Sequence, residues 1–361
     1  MKPKIFAFYL PQFYPFKEND EWWGKGFTEW TNVAKAKPLF PGHYQPRVPA
    51  DMSFYDLRLS EPREQQAELA KEYGIDAFCY YHYWFGDGKV LLNKPLEGVV
   101  SLNKPDFPFF VCWANHSWYN KNWNSKAQGG EDLLLIEQKY LGLSDVEKQF
   151  NYLLPMFKDP RYYKLHGKLV FSIYKADSIP YIKDYCALFN KLAEQNNLPG
   201  FYYISNVQEL ELLDHPSNKM MDANFLCLQK TLYGSYTKLR FLSHLSTFLH
   251  FPFQVISYKK ASSKMICDKH RDNRIIPVIM PNWDHSPRLG YNGTIFHKST
   301  PTLWGKLVEK ALKAISNKPE EDQIIMIKSW NEWAEGNYLE PDMKFGRQYL
   351  EKLKIAIDEV K

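Results

Sequence analysis

Short runs of apolar, β-branched and aromatic residues recur along the chain, at residues 5–9, 75–81, 109–113, 169–174, 201–205, 225–228, 276–280 and 324–329. Each is short and nearly free of charge, the pattern of a strand buried on both faces. Between them lie stretches with helical spacing of apolar positions, at 61–73, 144–157, 179–195 and 302–316. The last follows Ser299-Thr300-Pro301, a capping residue and then proline, which is a helix start signal. Repeated β/α units in one chain predict an α/β fold, a (β/α)8 TIM barrel with long loops after its strands. A doubly wound open sheet is the alternative, but no glycine-rich phosphate turn follows the first run. Residues 1–361 read as a single catalytic domain with a candidate helical insertion near 229–260.

A barrel keeps its chemistry at the C-terminal ends of its strands. Polar and aromatic residues gather at the predicted ends: Gly26-Phe27-Thr28-Glu29-Trp30 after the first, Tyr81-His82-Tyr83-Trp84 at the second, and Trp113-Ala114-Asn115-His116 at the third. Pro281-Asn282-Trp283-Asp284 follows the seventh, and Ser329-Trp330-Asn331-Glu332-Trp333-Ala334-Glu335-Gly336 the eighth. Glu332 and Glu335 are two carboxylates flanked by tryptophans, which is what cleavage or formation of a glycosidic bond needs. One must protonate a leaving oxygen while the other acts as base or nucleophile. The competing reading is a solvated acidic loop. We take Glu332 and Glu335 as candidate catalytic residues. The candidate substrate contacts are Glu29, Trp30, His82, Tyr83, Trp84, Trp113, Asn115, Trp283, Asp284, Asn331 and Trp333. Two readings stay open for His82, a satisfied structural histidine or a ligand contact. Glu29 either binds a sugar hydroxyl or anchors its loop, and Asn331 is placed to orient Glu332. Asp87, Asp177 and Glu340 read as solvated or supporting groups.

Composition adds little about mechanism and more about partners. The chain has 24 Tyr, 24 Phe and 11 Trp, which suits a sugar cleft and a bulky core equally. Its 46 basic and 41 acidic residues give a net charge of +5 without a block of like charge, so no nucleic-acid arm is expected. Five cysteines without paired or metal-type spacing predict free thiols in a reducing compartment. The N-terminal apolar run is too short for a secretory signal and no segment approaches the ~18 apolar residues of a span, so a cytoplasmic protein is expected. No metal-binding motif, cofactor motif or nucleotide-sugar D-x-D is found, so no cofactor is expected. Phe241, Leu242, Leu245, Phe248, Leu249, Phe251 and Phe253 form an apolar stretch beside Lys238, Arg240, Lys259 and Lys260. It reads as a barrel helix or helical hairpin, or else as a surface for membrane or lipid-linked glycan.

The chain resembles the WbsX-type family of bacterial polysaccharide-synthesis loci, usually labelled glycosyltransferases, and through it the endo-α-mannosidase glycoside hydrolases. The residues that carry the resemblance are Tyr9-Leu10-Pro11-Gln12-Phe13, Gly26-Phe27-Thr28-Glu29-Trp30, Tyr80-Tyr81-His82-Tyr83-Trp84, Cys112-Trp113-Ala114-Asn115, Leu135-Ile136-Glu137-Gln138, Pro281-Asn282-Trp283-Asp284 and Trp330-Asn331-Glu332-Trp333-Ala334-Glu335-Gly336. The resemblance implies a (β/α)8 barrel acting on an oligosaccharide or polysaccharide. It implies Glu332 as base towards a sugar 2-hydroxyl, giving an epoxide-like intermediate, and Glu335 as acid towards the leaving oxygen. His116 stands where the family has an acidic residue, and Trp123-Asn124-Ser125 where it has W-D-G. Two negative charges are thus missing from one side of the expected cleft, which predicts tolerance of an anionic or differently decorated sugar. Three function classes follow: a retaining glycoside hydrolase-like enzyme, a glycosyltransferase of lipopolysaccharide or capsule (O-antigen) biosynthesis, and a non-catalytic carbohydrate-binding barrel.

Overall fold

The computed structural model describes residues 2–120, 133–232, 242, 245, 246 and 248–359. Its parallel strands are β1 (Lys4–Tyr9), β2 (Ala77–Trp84), β3 (Phe109–Trp113), β4 (Lys168–Ile173), β5 (Phe201–Val207), β6 (Ala223–Leu226), β7 (Ile275–Ile279) and β8 (Ile324–Ile327). Each pairs with the next in sequence, and β8 pairs back with β1, so the sheet closes. Phe6 lies opposite Ala77 across one flank of β1 and Met326 across the other. The (β/α)8 barrel expected from the run pattern is the observed fold.

Helices cover the outside. They run Ser60–Glu72 after β1, Lys94–Ser101 after β2, Leu143–Phe157 after β3 and Ile182–Gln195 after β4. Tyr258–Lys264 precedes β7, Pro301–Ile315 follows it, and Gln348–Asp358 follows β8. The start signal before residue 302 works as expected: Thr300 is the N-cap, its Oγ1 accepts from the Leu303 N–H at 3.3 Å, and Pro301 opens the helix. The helices of 94–101 and 348–358 were not anticipated. The first carries Pro95, Gly98 and two valines, poor helix formers that hide its pattern. The second buries Leu350, Leu353, Ala356 and Ile357, one face at helical spacing.

Aromatic side chains fill the interior. Phe8 of β1 stacks on Tyr81 of β2 at 5.2 Å and meets Phe225 of β6 edge-on at 5.7 Å, bridging the barrel lumen. A second cluster joins sheet to helices, with Phe157 edge-on to Phe201 at 4.8 Å and Phe171 beside Phe189 at 5.2 Å. All five cysteines are unpaired and four of them are buried. In the stretch 229–260, Lys230–Leu232 forms a single 3-10 turn, while Phe248, Leu249 and Phe251 are exposed. Phe241, Lys238 and Arg240 of that stretch lie outside the described residues, as does Trp123-Asn124-Ser125. Among the described residues no helix is long and apolar enough to cross a membrane.

Candidate active site

The loop after β8 is built around two hinge-like hydrogen bonds. Ser329 Oγ accepts from the Glu332 N–H at 3.0 Å and donates to the Asn337 carbonyl at 2.8 Å. The segments Asn331–Glu332 and Asn337–Tyr338 then pair as a small antiparallel hairpin. Gly336 turns between them with φ +58. A Cβ there would lie 2.7 Å from Asp284 Cβ, so the loop needs glycine for both conformation and space. Asn331 reaches the other way: its Oδ1 accepts from the Leu10 N–H at 2.7 Å and its Nδ2 donates to the Leu10 carbonyl at 3.0 Å. It ties the loop to the end of β1 and does not bond to Glu332.

Glu332 and Glu335 reach from this loop into a cleft of about 550 Å³ at the C-terminal end of the barrel. Its walls include Trp22, Trp23, Phe27, Glu29, Tyr81, Tyr83, Trp118, Tyr174, Trp283, Arg288 and Lys328. Glu332 is buried and accepts from Asn337 Nδ2 at 3.3 Å. Burial, and then the neighbouring Glu335 charge, push its pKa up to about 7, against the opposing fields of Lys328 and Arg288. Glu335 is held differently. The Arg288 guanidinium donates to its Oε1 through a short hydrogen bond, and His285 Nε2 lies 3.8 Å from the same oxygen. Arg288 also reaches Glu29 Oε1 at 2.9 Å, so one cation bridges two carboxylates. Burial raises the pKa of Glu29 despite Arg288. Its second oxygen is buried with no hydrogen-bond partner.

The sequence-derived candidates divide cleanly. Glu29, Tyr83, Trp283, Glu332 and Glu335 line this cleft together. His82 and Trp84 do not, because β2 runs on to Trp84, past the expected end at 81. Alternation along the strand turns Tyr81 and Tyr83 into the cleft and the other two towards the helix Leu143–Phe157. His82 stacks on Tyr152 at 5.6 Å, and Trp84 Nε1 donates to Asp145 Oδ2 at 3.0 Å. Burial lowers the His82 pKa to about 3, so it is neutral. Trp113 donates to the Trp84 carbonyl at 3.0 Å and stacks on Tyr185. Asn115 Nδ2 donates to Tyr140 Oη at 2.9 Å and to the Lys175 carbonyl at 2.8 Å, a loop clamp. Trp30 and Trp333 pack against each other at 5.7 Å beneath the cleft.

Asp284 is fully buried and serves the loop from below. It accepts from Gln45 Nε2 at 2.7 Å and Ser286 Oγ at 2.6 Å, and faces His43 Nε2 at 2.8 Å. The Leu39 N–H donates to His43 Nδ1 at 3.1 Å, so Nε2 is the protonated nitrogen that donates to Asp284. Although burial works to raise it, the His43 hydrogen bond and the Arg47 charge bring the Asp284 pKa down to about 2. The Asp284 N–H donates to the Glu335 carbonyl at 2.6 Å, which fixes the backbone of that glutamate. Glu340, read as a solvated or supporting group, is buried. It accepts from Tyr55 Oη at 2.8 Å, Gln66 Nε2 at 2.6 Å and Trp333 Nε1 at 2.5 Å. Burial outweighs these donors and lifts its pKa to about 7.

Arg288 and Lys328 were missed. Arg288 lies in a short helix, Ser286–Leu289, of the loop after β7, and only that loop's path brings it to the glutamates. Lys328 did leave a signal, a lone cation at the end of the apolar run of β8.

The family model described as Glycosyltransferase WbsX matches residues 5–353. The uncharacterized protein WxcX of Xanthomonas campestris pv. campestris is 33% identical over 356 residues, covering 98% of this chain and 49% of its own length. The chain thus spans about half the length of the curated relatives it matches. Among solved structures, the GH99 endo-alpha-mannosidase from Bacteroides thetaiotaomicron superposes with a TM-score of 0.59 at 15% identity, over 99% of this chain and 97% of the other. A glycoside hydrolase-like protein gives 0.60 at 14% identity, over 99% and 94%. At these identities the likeness is one of fold.

Proposed function

The chain belongs to the WbsX glycosyltransferase family, and on that premise we propose that it is a glycoside hydrolase-like enzyme acting on glycosidic bonds of a bacterial surface polysaccharide or its precursor. One observation carries the reading: Glu332 and Glu335 enter a single aromatic-walled cleft at the C-terminal face of the barrel. In the proposed retaining reaction Glu332 takes the proton from a sugar 2-hydroxyl while that oxygen attacks the anomeric carbon. The bond to the leaving oxygen breaks, and Glu335 protonates that oxygen. Glu335 then takes a proton from water, whose oxygen opens the three-membered ring, and Glu332 returns its proton to the 2-oxygen. A base with a pKa near 7 removes a hydroxyl proton more readily than an ordinary carboxylate. Arg288 holds Glu335 by a hydrogen bond and ion pair, so service as an acid requires bound substrate to displace that contact.

The second reading is glycosyl transfer, in lipopolysaccharide or capsule (O-antigen) assembly, and the family's description favours it. It needs no change in the residues, only an acceptor hydroxyl in place of water. A lipid-linked glycan presented at a membrane surface is one form such a substrate would take.

Labelled oligosaccharides incubated with wild type, Glu332→Gln and Glu335→Gln decide among these readings. Cleavage without a donor, lost in both variants, is the expected outcome. Donor-dependent elongation would select transfer, and binding without turnover in every form would leave a carbohydrate-binding barrel. A substrate with an aryl leaving group that needs no protonation tests the roles. Glu335→Gln should release the first equivalent of aryl alcohol at much of the wild-type rate and Glu332→Gln should not. The reverse result would exchange acid and base.

A further inference from the structure

The cleft contains a cation that the proposed reaction does not use. Lys328 follows β8 directly, is buried, and lines the cleft with Glu332. Its Nζ donates to Gln229 Oε1 at 3.2 Å and lies 4.8 Å from the centre of the Trp283 ring. An ammonium carries three N–H donors, and the Gln229 amide takes one of them. Among the described residues no carboxylate oxygen comes within the 4.0 Å of an ion pair with it. Arg288, the other cation beside the glutamates, is by contrast engaged by Glu29 and Glu335.

Burying an ammonium is costly, and Glu332 and Glu335 offset that cost only through their fields, without a direct contact. A ligand that brings a negatively charged oxygen to the remaining N–H donors adds the contact they lack. We propose that Lys328, with Gln229 and the face of Trp283, forms a subsite for a negatively charged sugar residue next to Glu332, so that the glycan handled here is acidic. The charged group is a hexuronate carboxylate or a sugar phosphate. This rests on the reading that the cleft binds glycan. The competing account is that Lys328 acts only on Glu332, through its field.

Binding to the full chain separates these accounts, measured by calorimetry in a Glu335→Gln background that blocks turnover. The probes are glucuronate-containing oligosaccharides, the same oligosaccharides after reduction of the carboxylates to alcohols, and matched phosphorylated ones. The original protein should prefer a charged form, and which one it prefers identifies the source of the charge. Lys328→Met should weaken that binding about 30-fold or more and leave the reduced form within about twofold. Lys328→Arg should keep the preference, which guards against a Met variant that simply folds poorly. Equal binding of charged and reduced forms, or equal weakening of both by Lys328→Met, overturns the subsite while leaving a glycan-binding cleft intact. Absence of binding to every probe, charged or reduced, overturns the cleft reading and the subsite with it.

Discussion

At the scale of single residues the cleft is governed by how three carboxylates share two cations. Glu332 titrates high because it is buried beside Glu335, and Glu335 is held by Arg288. Removing the Glu335 charge should therefore let Glu332 ionise more easily. In Glu335→Gln its midpoint should fall below about 7, as followed by carbon NMR of the labelled carboxyl. A midpoint that stays or rises would mean that the repulsion between the pair is not what raises it. The glutamates were legible in sequence because a strand end, two acids and their spacing all lie within eight consecutive residues. The tryptophans beside them were legible as important but not for the right reason. Trp330 is buried next to Phe78, and Trp333 stacks on Tyr338 at 3.8 Å while donating to Glu340, so both build the loop rather than line the cleft. Arg288 was invisible for a different reason: its partners are 47 positions downstream at Glu335 and far upstream at Glu29.

At the scale of elements the loop after β8 is positioned by its neighbours on either side. Asn331 grips Leu10 at the end of β1, and Gly336 rests against Asp284 after β7. The Asp284 N–H bond to the Glu335 carbonyl transmits the fit of Gly336 to the glutamate backbone. Gly336→Ala combines a left-handed φ with a contact to Asp284 that cannot be relieved by a flexible side chain. It should cost about 3 kcal/mol in urea unfolding and lower turnover by displacing Glu335. Gly167→Ala shares the positive φ, at +73, but meets nothing within 4 Å, so it should cost only about 1 kcal/mol. Equal costs would mean that contact with Asp284 plays no part. The same scale explains the misassigned residues. A strand's existence follows from its apolar run, but its last residue does not. Once β2 extended to Trp84, alternation alone moved His82 and Trp84 out of the cleft and left Tyr83 in it. The barrel itself was legible because every strand is a short apolar run, and four of the runs are followed by a stretch of helical spacing.

Across the whole molecule, buried ionisable groups of opposite kinds set the pH range of stability. His82 and His270 are buried and titrate near 3 and 4, below the ordinary 6.5 of an unfolded histidine. Between those values the unfolded chain binds more protons, so these histidines make stability rise with pH up to about 6.5. Glu332 and Glu340 titrate near 7 in the folded protein against 4.5 when unfolded. Here the folded protein binds more protons, so stability falls as pH rises from about 4.5 through 7. Glu29, raised in the same direction, adds to that fall. Each fully engaged group contributes on the order of 1 kcal/mol per pH unit. From these four groups, stability should climb below pH 4.5, hold a shoulder from about 4.5 to 6.5 where the two pairs oppose one another, and drop through 7. Glu332→Gln removes one of the falling contributions, so the shoulder should tilt upward with pH by about 1 kcal/mol per unit. Urea unfolding of both proteins at intervals from pH 4 to 8 measures this, and parallel curves would show that Glu332 ionises alike in the folded and unfolded chain. The tilt matters for function because it is the stability cost of keeping a carboxylate ionised in that cleft. A bound neutral sugar leaves that cost in place, whereas catalysis by Glu332 as a base requires it to be met.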